Sequence, residues 1–194
     1  VCQLVKLFKD GKPFKMSKRA GDFISAQDLL KEVDKDPIRF MMLNRSNDVE
    51  IDFDFDKVKE KTKDNPVFYV QYAYARINSL LRTLDINFVK EIEFDQLNFN
   101  LNEMEEKIIR KVFEWPKIVE SASRKFDLHK IPFYLYELST LFHAYWSKGN
   151  EDKKYKFIEN ERIKRKEILA IINLVAIVIE NGMGILDVSL PKKM

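Results

Sequence analysis

Apolar residues recur at helical spacing over most of the chain, and the segment 66–84 shows this most clearly. Its apolar positions are separated alternately by three and four residues, which defines one buried stripe on a helix: Val67, Val70, Tyr74, Ile77, Leu81 and Leu84. Asn65 is suited to the cap position and Pro66 to the first helical position. The pattern therefore predicts an amphipathic helix that begins at Pro66.

The same spacing predicts further helices on both sides of this one. Ser25 is a candidate N-cap with Asp28 in the first turn, and a second helix opens near Asp36-Pro37. The later segments are a helical run over 101–126 that breaks or kinks at Trp115-Pro116, a helix from Ile131-Pro132 to about Lys148-Gly149, and a last helix from about Asn160 to Glu180, closed by Asn181-Gly182.

Two short segments show strand-like alternation instead. Residues 1–8 alternate, Asp10-Gly11 supplies a hairpin turn, and residues 13–16 would return antiparallel. The run from Glu50 to Asp56 alternates acidic and apolar residues, which indicates a short extended piece with one buried face. The alternative is a metal site, but the run lacks the glycine and terminal glutamate of a calcium loop. We therefore expect no metal ligands.

Composition is that of a soluble globular protein. The 194 residues are 45% hydrophobic and 34% charged, and a net charge of +3 permits a nucleic-acid partner without requiring one. The single cysteine, Cys2, excludes an internal disulfide and fits a reducing, cytoplasmic setting. No signal peptide is visible. The longest apolar stretch, Ile168 to Ile179, is too short to span a bilayer and is expected to be a buried helix rather than a membrane anchor.

A compact basic run, Lys15-Met16-Ser17-Lys18, is a candidate polyphosphate site. Lysines follow phosphate oxygens on flexible stems, and a serine hydroxyl between them can donate a hydrogen bond. The alternative is a solvated basic surface, which is the usual role of such clusters.

A second candidate site is the face of the 66–84 helix that carries Tyr69, Tyr72 and Arg76. An aromatic ring and a guanidinium in line suit an unstacked RNA base and its phosphate. The alternative is that Tyr69 packs its ring and Arg76 forms a surface ion pair. The two histidines, His129 and His143, have no serine or cysteine partner in the pattern, so packing or surface roles are expected of them.

Three stretches resemble one known family. Residues 10–22, DGKPFKMSKRAGD, resemble the KMSK signature loop of class I aminoacyl-tRNA synthetases. Residues 64–77, DNPVFYVQYAYARI, and 181–194, NGMGILDVSLPKKM, are similar to arginyl-tRNA synthetases in particular. The resemblance implies a mainly α fold: a helical-bundle anticodon-binding domain of the DALR type, preceded by a short β-hairpin and KMSK remnant of a class I Rossmann-type catalytic domain.

The resemblance also implies roles for the basic run. In the family the loop lysines stabilise the pyrophosphate leaving group while ATP, with Mg²⁺, activates the amino acid. Lys15 and Lys18 match these positions, and Lys18 is the first candidate for the transition-state contact. Met16 and Ser17 complete the expected ATP and pyrophosphate site.

For RNA, the resemblance implies three regions: 1–24 as the edge of the catalytic domain, 25–63 as helices that contact the inner stem of tRNA(Arg), and 64–194 as the anticodon-binding domain. The expected tRNA contacts are Tyr69, Tyr72, Arg76, Trp146 and Met194. Met194 is expected near the middle anticodon base. Trp146 stands where the family often has tyrosine, and its ring can still stack on a base.

The HIGH-like motif of the family's adenylate-binding half is not found in the sequence. We therefore expect the chain to be the C-terminal portion of an arginine–tRNA ligase, a monomer whose partners are tRNA(Arg) and the catalytic half of the same polypeptide. It would bind no ATP and activate no arginine by itself. The alternatives are a free-standing RNA-binding module, for which a KMSK loop has no use, and a helical interaction protein, which leaves the Tyr69 and Arg76 face unexplained.

Overall fold

The computed structural model describes residues 4–14, 24–86, 100–160 and 162–194. A small sheet comes first, with strands β1 (Val5–Lys9), β2 (Lys12–Pro13) and β3 (Ile51–Asp54) in the order β2-β1-β3. The hairpin turns at Gly11, which has a φ of +68°. Strand β3 runs parallel to β1, with Val5 opposite Ile51. The predicted hairpin and the extended piece with one buried face are both confirmed.

Two short helices cover this sheet. Helix α1 (Ala26–Glu32) begins at Ser25, whose hydroxyl accepts a hydrogen bond from the Asp28 backbone while the Asp28 carboxylate accepts one from the Ser25 backbone, so the predicted cap is present as a full capping box. Helix α2 (Lys35–Leu43) follows at once. They close a small core of Leu7, Val33, Phe53, Phe55 and Val58. Phe40 of α2 instead enters the larger core of the helices that follow.

Five helices form the main body: α3 (Pro66–Thr83), α4 (Glu103–Phe113), α5 (Trp115–Lys125), α6 (Lys130–Glu151) and α7 (Lys166–Leu186). The run 101–126 is predicted to break or kink at Trp115-Pro116, and the two helices are indeed separate there: Glu114 lies between them, and Pro116 stands in the first turn of α5. The predicted stripe of α3 is buried from Val67 to Leu81. The prediction of a mainly helical bundle preceded by a short hairpin is confirmed.

One local detail of α3 differs from the prediction. Asn65 occupies the cap position, but its side chain makes no capping hydrogen bond. Its amide instead donates to the carbonyl oxygens of Val58 at 2.9 Å and Glu60 at 2.8 Å. Asn65 therefore ties the start of α3 to the preceding 3₁₀ turn, because those buried carbonyls need a donor.

Both predicted ends of α7 are wrong. The chain before it forms a short hairpin, β4 (Ile158–Glu159) with β5 (Arg162–Ile163), so the helix starts at Lys166 and not near Asn160. It also continues through Asn181-Gly182 and ends at Leu186, before Asp187 with a φ of +53°. Gly182 does not stop the helix because its role is packing: a Cβ there would lie 2.7 Å from a methyl carbon of Leu135 on α6.

Among the described helices, α7 is the one long and apolar enough, by length and composition, to cross a membrane. Sixty-seven per cent of its most apolar window is buried inside the protein. A helix that is hydrophobic all round is expected at the centre of a bundle, and α7 packs on α3, α4 and α6. It is the core helix of this fold.

The start of α7 is held by a buried charge. Glu105 on α4 is fully buried and accepts hydrogen bonds from the Tyr145 hydroxyl at 2.6 Å and from the Arg165 guanidinium. Its second oxygen accepts from the Asn102 backbone at 2.9 Å, which completes a capping box. Because every carboxylate oxygen has a donor, the ion pair can be buried, and it joins α4, α6 and the residue before α7.

The residues after α7 return along α2 and α3. Lys35 pairs with Asp187 at 2.8 Å, and the Gln71 amide donates to the Ser189 carbonyl at 2.9 Å. Further along, the Arg82 guanidinium donates to the Lys192 carbonyl at 2.8 Å. These contacts hold residues 187–192 against α2 and α3.

The close approach of α6 and α7 gives a stability prediction. Gly182→Ala places a methyl group against Leu135, so we expect the free energy of unfolding in denaturant to fall by about 1–3 kcal/mol. Gly184→Ala, two residues on, is the matched control, because nothing lies within 4 Å of its Cβ position. The control should be unchanged or more stable by up to about 1 kcal/mol. Equal stability of the two variants would contradict the packing role of Gly182.

Candidate nucleic-acid interface

Arg76 lies at the centre of the surface formed where α3 meets α6. Its guanidinium carbon lies 4.3 Å from the ring centroid of Tyr72 and 5.4 Å from that of Trp146. Among the described residues it forms no ion pair; one of its N–H groups bonds to His143 Nδ1 at 3.1 Å. The alternative of a surface ion pair is therefore not found, and the positive charge of Arg76 is stabilised by aromatic faces and an imidazole.

His143 orients Arg76. The imidazole is 5% exposed, and its Nε2 lies 3.1 Å from the backbone oxygen of Tyr69. A carbonyl can only accept, so Nε2 carries the proton and Nδ1 is the acceptor for Arg76. Burial, together with the charge of Arg76, lowers the pKa of His143 from 6.5 to about 4. The histidine is therefore neutral near pH 7, which this geometry requires.

Aromatic rings build the floor under these two residues. The Tyr72 ring stacks on Phe68 with centroids 5.7 Å apart and on His143 at 5.5 Å. The Trp146 ring contacts Phe157 edge-on with centroids 5.5 Å apart. Since these rings are held by their neighbours, the face beneath Arg76 is preorganised before any ligand binds.

An open cleft of about 630 Å³ extends from this point, and we refer to it as the Arg76 cleft. Three cations border it, Arg76, Arg82 and Lys193, and no Asp or Glu side chain is among its lining residues. The lining consists of Tyr72, Ala75, Arg76, Ser79, Leu80, Arg82, Thr83, Trp146, Ile158, Lys193 and Met194. The combination of positive charge and flat aromatic surface suits a nucleobase and its phosphate.

The structure brings four of the five predicted RNA-binding residues to this cleft. Tyr72, Arg76 and Trp146 lie on its floor, and Met194, which is 53% exposed, reaches its rim from the end of the chain. Tyr69 is not a lining residue: its half-buried ring lies behind His143, with centroids 4.3 Å apart, and burial raises the pKa of its hydroxyl. The RNA contact of each of the five residues stays a prediction.

The other predicted site cannot be compared with the structure. Lys15, Met16, Ser17 and Lys18 lie outside the described residues. Strand β2 ends at Pro13, two residues before Lys15. Within the described residues, no group of three or more His, Cys, Asp or Glu side chains could hold a metal ion.

Sequence reasoning did not assign several lining residues to the site. Arg82 and Ser79 lie outside the motifs, although Ser79 is one helical turn after Arg76, and Lys193 lies within the motif 181–194 but was given no role. Of the packing or surface roles expected for the histidines, His143 has the packing one, because it is buried; its bond to Arg76 was not anticipated. The sequence feature that could have indicated this role is the position of His143 three residues before Trp146, which places both side chains on one face of α6.

The neutral state of His143 gives a pH prediction. Between pH 6.5 and 4 the unfolded chain protonates this histidine and the folded protein does not, so the free energy of unfolding falls as the pH falls. The shift of its pKa from 6.5 to about 4 sets the loss at up to about 3 kcal/mol.

The measurement is denaturant unfolding of wild type and His143→Gln at several pH values from 7 to 4. We expect the variant to lose less stability over this range than the wild type. His129→Gln, which removes the other histidine from outside the site, is the matched control. An unchanged pH dependence in His143→Gln would show that the wild-type histidine is not held neutral.

Known proteins with similar sequences are arginine–tRNA ligases. The chain is 52% identical to the arginine–tRNA ligase of Pelagibacter ubique and 44% identical to that of Roseobacter denitrificans, with 100% and 99% of this chain covered. It spans about a third, 34%, of the length of both relatives and corresponds to their C-terminal part.

A solved structure from Campylobacter jejuni, assigned as an arginyl-tRNA synthetase, is 28% identical with a TM-score of 0.84 and covers 100% of this chain and 40% of its own. The DALR anticodon binding domain family matches residues 70–194, which is more than half of the chain and includes every lining residue of the Arg76 cleft. The chain therefore belongs to the DALR anticodon-binding domain family, and over its whole length it is similar to the C-terminal third of arginine–tRNA ligases.

Proposed function

We propose that this chain is the tRNA-binding part of an arginine–tRNA ligase and that the Arg76 cleft receives an anticodon base of tRNA(Arg). The observation that carries the proposal is the Arg76 guanidinium, which has no carboxylate partner among the described residues and is held over two aromatic rings. A cation without an acidic partner that lies on aromatic rings beside an open cleft suits an unpaired base of a single-stranded loop.

The recognition chemistry follows from the donors that remain. An arginine side chain has five N–H donors, and His143 accepts from one of them. The remaining donors of Arg76 make no hydrogen bond with the described residues, so they are available to acceptors on a base edge. The Ser79 hydroxyl and Met194 border the same space. A base stacked against Tyr72 or Trp146 would meet the guanidinium edge-on, and the middle anticodon base is our candidate.

We also propose roles for the other regions of the chain, which follow from the resemblance to the family. Residues 25–63 contact the inner stem of the tRNA, residues 64–194 form the anticodon-binding domain, and Tyr69 contributes beside the cleft through its half-buried edge. Residues 1–24 belong to the edge of the catalytic domain. The N-terminal part of the same polypeptide is the partner of this edge, and we propose a cytoplasmic monomer.

We further propose that Lys15 and Lys18, with Met16 and Ser17, contact the pyrophosphate of ATP, bound with Mg²⁺, when that catalytic part is present. Their ammonium groups would stabilise negative charge that develops on the leaving group during activation of arginine. This chain alone is proposed to bind tRNA and not to activate arginine.

Substitution of Arg76 tests the cleft. Arg76→Ala should weaken binding of a tRNA(Arg) transcript by about tenfold or more, because a charge-assisted hydrogen bond and a stacking cation are both lost. Arg76→Lys keeps the charge without the planar donors, so it should lose discrimination against a transcript altered at the middle anticodon base. The measurement is a titration of each transcript by fluorescence anisotropy.

Arg110→Ala is the matched control for that titration. Arg110 is an exposed arginine on α4, paired with Glu106, and its removal should change neither affinity nor discrimination. If Arg76→Ala binds and discriminates as well as Arg110→Ala does, the cleft is not the anticodon site. A wild type that binds all transcripts equally would favour a generic RNA-binding module.

The lysine proposal is tested in the complete polypeptide that contains this chain. Lys18→Gln should lower kcat for arginine-dependent ATP–pyrophosphate exchange by about 100-fold or more, with little change in KM for arginine, because the contact forms mainly in the transition state. Lys12→Gln, in the preceding strand, is the control. An unchanged kcat in Lys18→Gln would remove this lysine from the reaction.

A further inference from the structure

The segment between α6 and α7 is fastened to the aromatic floor of the Arg76 cleft. It contains a 3₁₀ turn (Lys153–Tyr155) and the β4–β5 hairpin. Phe157, which is 6% exposed, anchors it: the Phe157 ring centroid lies 4.5 Å from that of Tyr145 and 5.5 Å from that of Trp146. Whatever this segment presents to solvent is therefore held at a fixed place beside the cleft.

What it presents is positive charge. We use the name basic rim for five exposed lysines of this segment and of the first residue of α7: Lys153, Lys154, Lys156, Lys164 and Lys166. Within the described part of the chain, none of the five forms an ion pair with a carboxylate. Two neighbouring cations do form such pairs, Lys148 with Glu151 and Arg165 with Glu105.

Two acid groups next to these lysines are used in other ways: Glu151 pairs with Lys148, and Asp152 caps the turn, while Glu159 on β4 is exposed. The Asp152 carboxylate accepts from the Lys154 backbone at 2.8 Å and so caps the 3₁₀ turn, and Lys164 Nζ donates to the Lys153 carbonyl at 2.9 Å. Like charges collected on one short segment repel each other. An anionic ligand that neutralises them would relieve this repulsion.

The rim is also continuous with the cleft. A second cavity of about 190 Å³ shares Leu80, Trp146 and Ile158 with the Arg76 cleft and adds Tyr155 and Lys156 to its walls. The concave surface thus leads from Arg76 past Trp146 to Lys156. A separate cavity of about 400 Å³ has Lys154, Lys164 and Arg165 among its lining residues, so two further lysines of the rim border concave surface.

We propose that the basic rim binds the phosphate backbone of the RNA strand next to the base held in the Arg76 cleft. The inference rests on the proposed function of that cleft and adds a separate contact. Lysine is a flexible point charge without the planar donor fork of arginine, so it follows phosphates without reading bases. The cleft then supplies discrimination between anticodons, and the rim supplies affinity that is independent of sequence and falls with salt.

An acidic protein surface is the other occupant that such charges attract. RNA is favoured because Lys156 borders a cavity that shares walls with a cleft suited to a base, and because Tyr155 adds a ring to that cavity. An RNA strand whose base occupies the cleft must place its adjacent phosphates on neighbouring protein surface, and the basic rim is positively charged surface next to the cleft.

The test is a triple variant, Lys154→Gln with Lys156→Gln and Lys164→Gln, measured against tRNA(Arg) transcripts over a salt series. At about 0.1 M salt we expect affinity to fall about tenfold or more, equally for the transcript with the natural anticodon and for one altered at the middle base. The slope of log Kd against log salt should decrease by up to about two, since each lost phosphate contact in a single strand contributes about 0.7.

The matched control removes the same charge elsewhere. Lys107→Gln with Lys117→Gln and Lys125→Gln replaces three exposed lysines on α4 and α5, which are likewise without an ion pair to a described carboxylate. It should keep the wild-type slope. Thermal unfolding of both triple variants checks that each is folded.

Each outcome decides one point. An unchanged slope in the rim variant overturns the proposal, and the rim would then bind a partner other than RNA. An equal change of slope in both triple variants also overturns it, because net charge alone would then explain the salt dependence. Loss of anticodon discrimination with an unchanged slope also overturns it, because the substitutions would then act on the cleft. Failure of the proposed function is distinct from all of these: it appears as a wild type that binds both transcripts equally.

Discussion

Burial of most of the apolar surface of α7 is the constraint on which the rest of the structure depends. Thirteen of its 21 residues are buried and one face, with Ile177 and Ile185, stays exposed, so the helix is stable only when other helices cover its buried faces. Helices α3, α4 and α6 meet this requirement, and Gly182 lets α6 approach closely at Leu135. The crossing of α3 and α6 that results brings Arg76 next to His143. The functional surface is therefore a consequence of how the core helix is covered.

The same packing explains why the cleft is preorganised. His143 has only one tautomer that satisfies both of its neighbours, the Tyr69 carbonyl and the Arg76 guanidinium. Burial keeps it neutral, and the rings of Tyr72 and Trp146 limit the positions that the guanidinium can take. A side chain that would be flexible on an open helix is held in one orientation, so little of the binding energy is lost in ordering it.

The chain end and the α6–α7 segment extend this surface in two directions. The end of the chain, fixed by Gln71 and Arg82, carries Met194 to one side of the cleft, while Phe157 holds the basic rim on the other. The buried Glu105 ion pair fixes the residue before α7 and with it the base of that segment. The two sides differ in chemistry, and this difference underlies the proposed division between base discrimination and phosphate affinity.

The sequence by itself indicated most of the helices and four of the residues that line the cleft. The three-and-four spacing of apolar residues specified α3, and the motif around Tyr72 and Arg76 pointed to RNA, because periodicity and side-chain chemistry are local properties. The tertiary structure decided which residues meet. Asn181-Gly182 has residue types typical of a helix end, but Gly182 packs against Leu135 and the helix continues to Leu186. The partner of Arg76 lies 67 residues away, and no local pattern encodes such a distance. Contacts between distant residues are set by how the bundle closes around α7, and only the folded chain shows them.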